Sequence, residues 1–279
     1  MTFHSPAKIN LWLRILGKRE DGFHEVHTRL CRLALGDTVA VEHLGAGTSV
    51  RLTCSEPAVP LDESNLAMKA LRAFERRTGR TSSWRIHLEK KIPAGAGLGG
   101  GSGNAATVLK ACNELTGSPL TLAELIELGG QIGSDVPCFQ LDTPAADGAG
   151  RGEQVTPVDF PWQLPLVLIK PPFPIPTPWA YKRWADSQEI PGVLYTPQIC
   201  PWGEMVNDLE RPVFEKHRLL PSLKMWLLEQ AETRAALMSG SGSTMFAVAE
   251  TAAQAATLAE KARERVGETA WIQTTQTGG

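Results

Sequence analysis

A lysine, an asparagine and an aspartate are the residues of this sequence with the clearest potential for chemistry. Lys8 and Asn10 lie two positions apart in segment 6–16, where apolar and polar side chains alternate as in a strand, so both would point to one side. Asp135 lies far away, in the motif Gly133-Ser-Asp-Val-Pro137. A carboxylate can accept the proton of a substrate hydroxyl, and a neighbouring ammonium keeps it ionised and offsets charge on a transferring phosphoryl group. Together the two charges would suit phosphoryl transfer.

Both charged residues also have a common structural explanation. Lys8 could belong to a solvated strand face, and Asp135 could form an Asx turn or cap a helix. The spacing of the two residues along the chain leaves these alternatives open.

The glycine-rich run Pro93-Ala-Gly-Ala-Gly-Leu-Gly-Gly-Gly-Ser-Gly-Asn104 adds a third chemical element. Residues 83–89 before it alternate like a strand, and Ala105, Leu109 and Cys112 after it recur at helical spacing. A glycine turn that leads into a helix directs unpaired N–H groups and the positive end of the helix dipole at one point, which suits a phosphate. The alternative is a flexible linker. The P-loop pattern GxxxxGK[ST] does not occur in the run.

The composition restricts the class of protein. With 279 residues, 42% of them apolar, the chain is long enough for two ordinary domains, which is our expectation. The formal net charge of −2 gives no electrostatic reason to expect nucleic acid or a membrane as partner. Five scattered cysteines without a CxxC pair, no leader and no long apolar run predict a soluble cytoplasmic protein with reduced thiols.

Strand-like and helix-like segments mix without βαβ regularity, which predicts an α+β fold. In the N-terminal part we expect a helix capped by Ser64 and ended by Gly79, and a helix opened by a capping box at Thr121. Residues 133–141 are expected to form a strand.

A segment rich in glycine and proline, residues 142–165, places the domain boundary between 1–158 and 159–279. Beyond it we expect an apolar strand, three helical pieces, a glycine loop between two strands, a long amphipathic helix and a last strand. These lie at 164–169, 178–186, 204–217, 222–231, 235–249, 251–266 and 269–273.

Four motifs occur in an order and at positions that resemble the GHMP small-molecule kinases. They are Pro6-Ala-Lys-Ile-Asn-Leu11, Pro93-x4-Leu98-Gly-Gly-Gly-Ser-x-Asn-Ala-Ala106, Gly133-Ser-Asp-Val-Pro137 and Ser239-Gly-Ser-Gly-Ser243. The resemblance covers nearly the whole chain. It is greatest to the members that phosphorylate a cytidine diphosphate-linked polyol for isoprenoid precursors, since mevalonate and homoserine kinases usually carry GLGSSAA-type loops.

The resemblance implies a two-domain fold, with an N-terminal domain like domain 2 of ribosomal protein S5 and a ferredoxin-like C-terminal α/β sandwich. It implies a kinase with ATP and Mg²⁺ as cofactors and a small-molecule substrate. We expect a monomer or a weak homodimer that binds neither nucleic acid nor membrane.

The resemblance also implies roles for individual residues. Asp135 would be the catalytic base with Lys8 as its neighbour, and Ser102 would be a metal ligand. The residues implied in ATP binding are Asn65, Leu66, Lys91, Pro93, Ala94, Gly95, Ala96, Gly97, Leu98, Gly99, Gly100, Gly101, Ser102 and Asn104. The residues implied in substrate binding are Asn10, Phe23, His24, Thr177, Tyr181, Gly240 and Ser241. The cytosine would lie between the rings of Phe23 and Tyr181.

Two positions depart from the family pattern. Gly103 stands where a second serine is usual, and Phe23 stands where tyrosine is common, which keeps a stacking surface. Two further functions stay open: a GHMP kinase for another small alcohol, such as mevalonate or a sugar, and a nucleotide-binding sensor without catalysis. A nucleic-acid-binding protein fits poorly with the near-neutral charge.

Overall fold

The computed structural model describes residues 1–278, which fold into two β-sheets covered by helices. The strands are β1 (Thr2–Lys18), β2 (His24–Ala46), β3 (Val50–Cys54), β4 (Ser82–Glu89), β5 (Ala145–Ala149), β6 (Gln154–Val158), β7 (Pro165–Lys170), β8 (Gln198–Cys200), β9 (Gly203–Asn207), β10 (Thr233–Met238), β11 (Met245–Ala249) and β12 (Trp271–Gln276). The helices are α1 (Leu66–Thr78), α2 (Gly100–Leu115), α3 (Leu122–Ile132), α4 (Val136–Gln140), α5 (Thr177–Trp184), α6 (Glu210–Lys216), α7 (Leu219–Leu228) and α8 (Ala252–Val266). The predicted α+β class is confirmed.

The first sheet has eight strands, in the order β3-β4-β2-β1-β9-β8, with the hairpin β5-β6 attached to β2. Apolar side chains of β2 and β4 form one buried cluster with α1, α2 and α3, which cover that face of the sheet. The second sheet is antiparallel, with four strands in the order β10-β11-β7-β12.

The alternation of side chains along β1 decides which way its polar residues point. Ile9 and Leu11 are fully buried in a cluster that includes Leu166 of the second sheet, so this side of β1 joins the two sheets. Lys8 and Asn10 alternate with them and point to the other side. They are only 3% and 2% exposed, so Lys8 is not on a solvated strand face.

Helix starts follow the local sequence signals, with one correction. Capping boxes open α3 at Thr121 and α8 at Thr251, and the sequence predicted the one at Thr121. Helix α1, in contrast, is capped by Asn65, whose side chain accepts a hydrogen bond from the N–H of Ala67 at 2.9 Å. The prediction of Ser64 as the cap is therefore wrong by one position, because the Ser64 hydroxyl donates to a preceding carboxylate instead.

Two predicted segments differ from the structure. Residues 133–141 contain the short helix α4 rather than a strand, because Pro137 has no N–H to donate, which the first turn of a helix tolerates and a central strand does not. Segment 204–217 is helical only from Glu210, since its first residues belong to β9, which pairs with β8 and runs parallel to β1.

Strands β8 and β9 complete the N-terminal sheet from the C-terminal half of the chain, so the two halves interlock around β1. The boundary between residues 158 and 159 falls in the connection from β6 to β7 and stays a prediction. Within residues 1–278, no helix is both long and apolar enough to cross a membrane. All five cysteines lie in this range and are free thiols.

Candidate active site

A cavity of about 1320 Å³ is lined by β1, α2, α5 and the loops between them. Its walls contain nearly all of the residues predicted for the site: Lys8, Asn10, Phe23, His24, Asn65, Leu66, residues 93–102, Asn104, Asp135, Thr177, Tyr181, Gly240 and Ser241. Segments from both halves of the chain therefore meet at one cavity.

The two charged residues singled out by the sequence lie side by side. The Nζ of Lys8 is 3.3 Å from Oδ2 of Asp135. The same Nζ donates to Oδ1 of Asn10 at 2.7 Å, and Asn10 in turn donates to Thr28 at 2.8 Å. This chain of hydrogen bonds holds the ammonium in one orientation. The side chain of Asp135 is 34% exposed, so it is open to the cavity while its partner is buried.

Asp135 is not used as a helix cap. It precedes α4, but within residues 1–278 its side chain makes no capping hydrogen bond, so its carboxylate is available for chemistry. Cys138, three residues on, is a poor competitor for the role of base or nucleophile. Burial raises the pKa of the Cys138 thiol to about 12, so the thiol keeps its proton at neutral pH.

The first glycine loop, residues 93–99, leads from β4 into α2. Gly95, Gly97 and Gly99 have φ of +61°, +76° and +70°, which favours glycine at all three positions. A Cβ at Gly99 would lie 2.9 Å from Cγ of Lys8, so the loop passes directly over the lysine. The first N–H groups of α2 follow at once and have no partner within the helix. The arrangement is that of an anion site.

Gly103, the departure from the family pattern, has a physical reason in this chain. It lies in the second turn of α2, where a Cβ would be 2.8 Å from the backbone oxygen of Pro6. Helix α2 and strand β1 therefore approach too closely for a serine at this position without a shift of the backbone.

The second glycine loop, residues 239–243, connects β10 to β11 and lies against the first. The hydroxyl of Ser239 donates to the backbone oxygen of Gly97 at 3.0 Å, and the N–H of Thr244 donates to Ala96 at 3.2 Å. From behind, the side-chain amide of Asn207 donates to the oxygens of Met238 and Gly240 at 2.7 and 2.8 Å. Asn207 thus holds the second glycine loop in place from behind.

Thr177 and Ser241 connect this loop to α5. Their hydroxyl oxygens lie 2.7 Å apart, and both residues line the cavity. The contact places the start of α5 next to the second glycine loop.

Aromatic residues line the cavity near the tip of the β1–β2 hairpin and along α5. The ring of Phe23 is 53% exposed, and the guanidinium of Arg151 lies 4.9 Å from its centroid. The rings of His24 and Tyr181 lie 5.5 Å apart. Burial lowers the pKa of the His24 imidazole, with a further contribution from Lys18, so the ring is neutral at pH 7. Both rings of the predicted sandwich thus line one cavity, and their role in binding a base stays a prediction.

An apolar recess lies next to the start of α2. Leu66 lies beside Gly101, and the side-chain amide of Asn65 donates to the oxygen of Pro60 at 2.6 Å. Lys91 does not belong to this recess: it is exposed and lines a separate depression, and the cavity is lined by Lys90 instead. Lys90 rather than Lys91 thus faces this cavity, because successive residues in an extended segment point in opposite directions, and the role of Lys91 in ATP binding stays a prediction.

The described residues offer little to hold a metal directly. Among residues 1–278 there is no group of three or more His, Cys, Asp or Glu side chains placed to bind an ion. Ser102, the predicted ligand, lines the cavity at the start of α2.

Sequence reasoning missed Lys90, Thr28 and Asp37. Thr28 completes the hydrogen-bond chain behind Lys8, and it is a polar residue in a strand with no motif to distinguish it. Asp37 is fully buried and is bonded to the segment before the first glycine loop. A Gly-Asp pair in the middle of a long strand is the only local signal for it.

Comparison with known proteins agrees with this geometry. The family model for the GHMP kinases N terminal domain matches residues 65–145, and the model for the GHMP kinases C terminal matches residues 201–268. The chain belongs to the GHMP kinase family. It is a small-molecule kinase, and its fold is that of this class.

Individual relatives are similar over most of the chain. A 4-diphosphocytidyl-2-C-methyl-D-erythritol kinase of Methylacidiphilum infernorum is 43% identical over 88% of this chain and 84% of the relative. The protein of the same name from Protochlamydia amoebophila is 42% identical over 88% of this chain and 83% of its own length. A crystal structure of 4-(cytidine 5'-diphospho)-2C-methyl-D-erythritol kinase superimposes with a TM-score of 0.80 at 34% identity, with both chains fully covered.

Proposed function

We propose that this chain uses ATP to phosphorylate the 2-hydroxyl of 4-diphosphocytidyl-2-C-methyl-D-erythritol, giving the 2-phosphate and ADP, in the non-mevalonate pathway to isoprenoid precursors. The relatives that bear the name of this kinase support the substrate. The observation that carries the chemistry is the pair of Lys8 and Asp135, 3.3 Å apart beneath the first glycine loop.

Asp135 is the base in this proposal. Its carboxylate accepts the proton of the substrate hydroxyl as the oxygen attacks the γ-phosphorus, which breaks the bond to the β-phosphate oxygen and releases ADP. Lys8 places a positive charge beside that carboxylate and beside the transferring group. The N–H groups of the loop and of the α2 start bind the phosphates.

Mg²⁺ fits the donor set at the start of α2. This ion prefers oxygen ligands, keeps several waters and binds through few protein groups together with substrate phosphates. The Ser102 hydroxyl would be such a ligand. When bound, the ion neutralises charge on the β- and γ-phosphates.

The two ends of the cavity take the two nucleotides. Asn65, Leu66 and their neighbours form the recess for adenine, next to the phosphate-binding start of α2. Phe23 and Tyr181 hold the cytosine between their rings, and His24 and Thr177 bind nearby. A stacked base gains about 1–3 kcal/mol per ring by analogy with single-strand binders. The cytoplasmic location and the monomeric or weakly dimeric state stay predictions from the sequence.

ADP release with a panel of alcohols tests the substrate. We expect kcat/KM for the cytidine-linked polyol to exceed that for methylerythritol, mevalonate or a sugar by at least about 30-fold, because two stacking contacts contribute about 2 kcal/mol or more. Faster turnover of mevalonate or a sugar would favour another kinase of this family. ATP binding without ADP release on any alcohol would favour a sensor.

A further inference from the structure

Asp37 is a buried carboxylate that contacts several donors around the first glycine loop. It lies in β2 and is fully buried. Its Oδ1 accepts the backbone N–H groups of Lys91 and Ile92 at 2.7 and 2.9 Å. Its Oδ2 accepts the side-chain amide of Asn104 at 3.0 Å and the ammonium of Lys90. Both oxygens of the carboxylate are therefore used.

These donors lie on both sides of the loop. Lys91 and Ile92 immediately precede Pro93, the first residue of the loop, whereas Asn104 belongs to the second turn of α2, just after it. A single carboxylate thus fixes the distance between the entry and the exit of the loop.

The network is closed by bonds among the donors themselves. Lys90 also donates to Oδ1 of Asn104 at 2.9 Å, and Asn104 donates to the hydroxyl of Ser5 in β1 at 2.9 Å. A buried hydrogen-bond network of this kind holds its members in one arrangement.

Two members of the network, Asn104 and Lys90, line the cavity, and Lys90 is the charged one. Its Nζ lies 3.4 Å from where a Cβ of Gly100 would be, at the first residue of α2. An ammonium at a helix N-terminus is opposed by the helix dipole, so it needs a compensating negative charge. Asp37 supplies that charge from inside the sheet and leaves the outer side of the ammonium to a ligand.

We infer that Asp37 is a positioning residue for nucleotide binding, which acts through Lys90 and Asn104 and does not itself touch the ligand. This inference rests on the proposed function, since it assigns ATP to this end of the cavity. Asp37 pre-organises the donors that meet the phosphates, so its loss lowers nucleotide affinity more than it changes binding of the alcohol.

The test compares Asp37→Asn with two other variants of the full-length chain. An asparagine keeps the shape and can still accept the two backbone N–H groups, but its NH₂ then faces the ammonium of Lys90 and the amide of Asn104. Lys90→Met removes the same contact from the other side. Asp147→Asn is the control, because Asp147 is likewise paired with a cation, Arg29 of β2, at 2.7 Å, but is not among the described residues that line the cavity.

The measured quantities are the Kd of a non-hydrolysable ATP analogue without any alcohol, and the KM values for ATP and alcohol. We expect Asp37→Asn and Lys90→Met each to raise the Kd and the ATP KM at least tenfold, with the alcohol KM within threefold. A variant with both substitutions should bind the analogue no more weakly than the weaker-binding of the two single variants. The reason is that both substitutions remove the same contact. Asp147→Asn should keep the parent's nucleotide affinity.

A Kd within twofold of the parent for Lys90→Met or for a folded Asp37→Asn overturns the inference, as does an equal loss in Asp147→Asn. If Asp37→Asn does not fold, Lys90→Met alone decides. The Kd is measured without alcohol, so an error in the proposed substrate leaves this test intact. A chain that binds the analogue well and phosphorylates a different alcohol would contradict the proposed function and not this inference.

Discussion

The two glycine loops of this protein have similar compositions and different structural roles. The first leads into α2, so its glycines bring a row of unpaired helix N–H groups to the cavity. The second connects two strands, and its serines are buried, with Ser239 and Ser243 fully enclosed. The first loop is suited to bind an anion. The second loop packs against the first and restricts the position of the first loop. The element that follows a glycine run, rather than the glycines themselves, decides the function.

The supports behind the loops differ as well. The first is anchored by a buried charge, Asp37, and the second by a neutral amide, Asn207. A charged anchor can orient a cation toward a ligand, whereas the amide only fixes two backbone carbonyls. Three substitutions separate these roles, in order of decreasing effect.

The largest effect is expected for Gly97→Ala, which forces the loops apart. A Cβ at Gly97 would clash with the backbone oxygen of Ser239 and lie 2.9 Å from that of Gly242. We expect kcat/KM for ATP to fall at least about 100-fold, equivalent to about 2.7 kcal/mol. Gly117→Ala is the control, because Gly117 also has a positive φ, +85°, and among residues 1–278 no heavy atom outside its immediate chain neighbourhood lies within 4 Å of its Cβ position. Equal kinetics in both variants would show that the close approach of the loops is unimportant.

Asn207→Ala tests the second loop without touching the first. It leaves the carbonyls of Met238 and Gly240 unpaired, so the loop beside Lys8 loosens. We expect kcat to fall about tenfold with the ATP KM within threefold, because the phosphate donors are unchanged. Asn113→Ala is the control: Asn113 bonds both backbone groups of Leu120 at 2.9 Å. A selective rise of the ATP KM in Asn207→Ala would mean that the second loop binds nucleotide directly.

The smallest effect is expected for Ser239→Ala, which removes one neutral hydrogen bond between the loops, 3.0 Å long. Such a bond contributes about 1 kcal/mol, so kcat/KM for ATP should fall about two- to fivefold. Ser243→Ala, which removes a bond to the backbone oxygen of Phe173 instead, should leave this ratio unchanged. A larger loss of kcat/KM for ATP in Ser243→Ala than in Ser239→Ala would contradict this expectation. It would show that the contact with Phe173 matters more than the contact between the two glycine loops.

The sequence predicted the parts of this site that depend on local signals. The first loop and the start of α2, the capping box at Thr121, and the alternation that pairs Lys8 with Asn10 all follow from residue type and spacing. The expectation that Lys8 and Asp135 lie close together came from the family resemblance. Spacing alone could not predict a contact between residues 127 positions apart in the chain.

The sequence-based predictions differ from the structure where long-range contacts determine the local structure. They also differ where a shift of one residue changes the direction of a side chain. Lys90 and Lys91 have the same side chain, and only the direction of the extended segment shows which one lines the cavity. The parallel pairing of β9 with β1 joins residues that are far apart in the chain. Local sequence signals do not show this pairing, so the helix predicted over 204–217 wrongly included most of β9. Asp37 was missed because a buried anchor carries no motif of its own.

In the proposed mechanism, Asp135 takes the proton of the alcohol while the first glycine loop holds the nucleotide. The direct measurement is the kcat of Asp135→Asn together with its Kd for an ATP analogue. We predict a kcat reduced at least about 1000-fold, within the range that a general base contributes, and a Kd within threefold of the parent. A kcat within tenfold of the parent, with the nucleotide still bound, would remove Asp135 from this role and contradict the account.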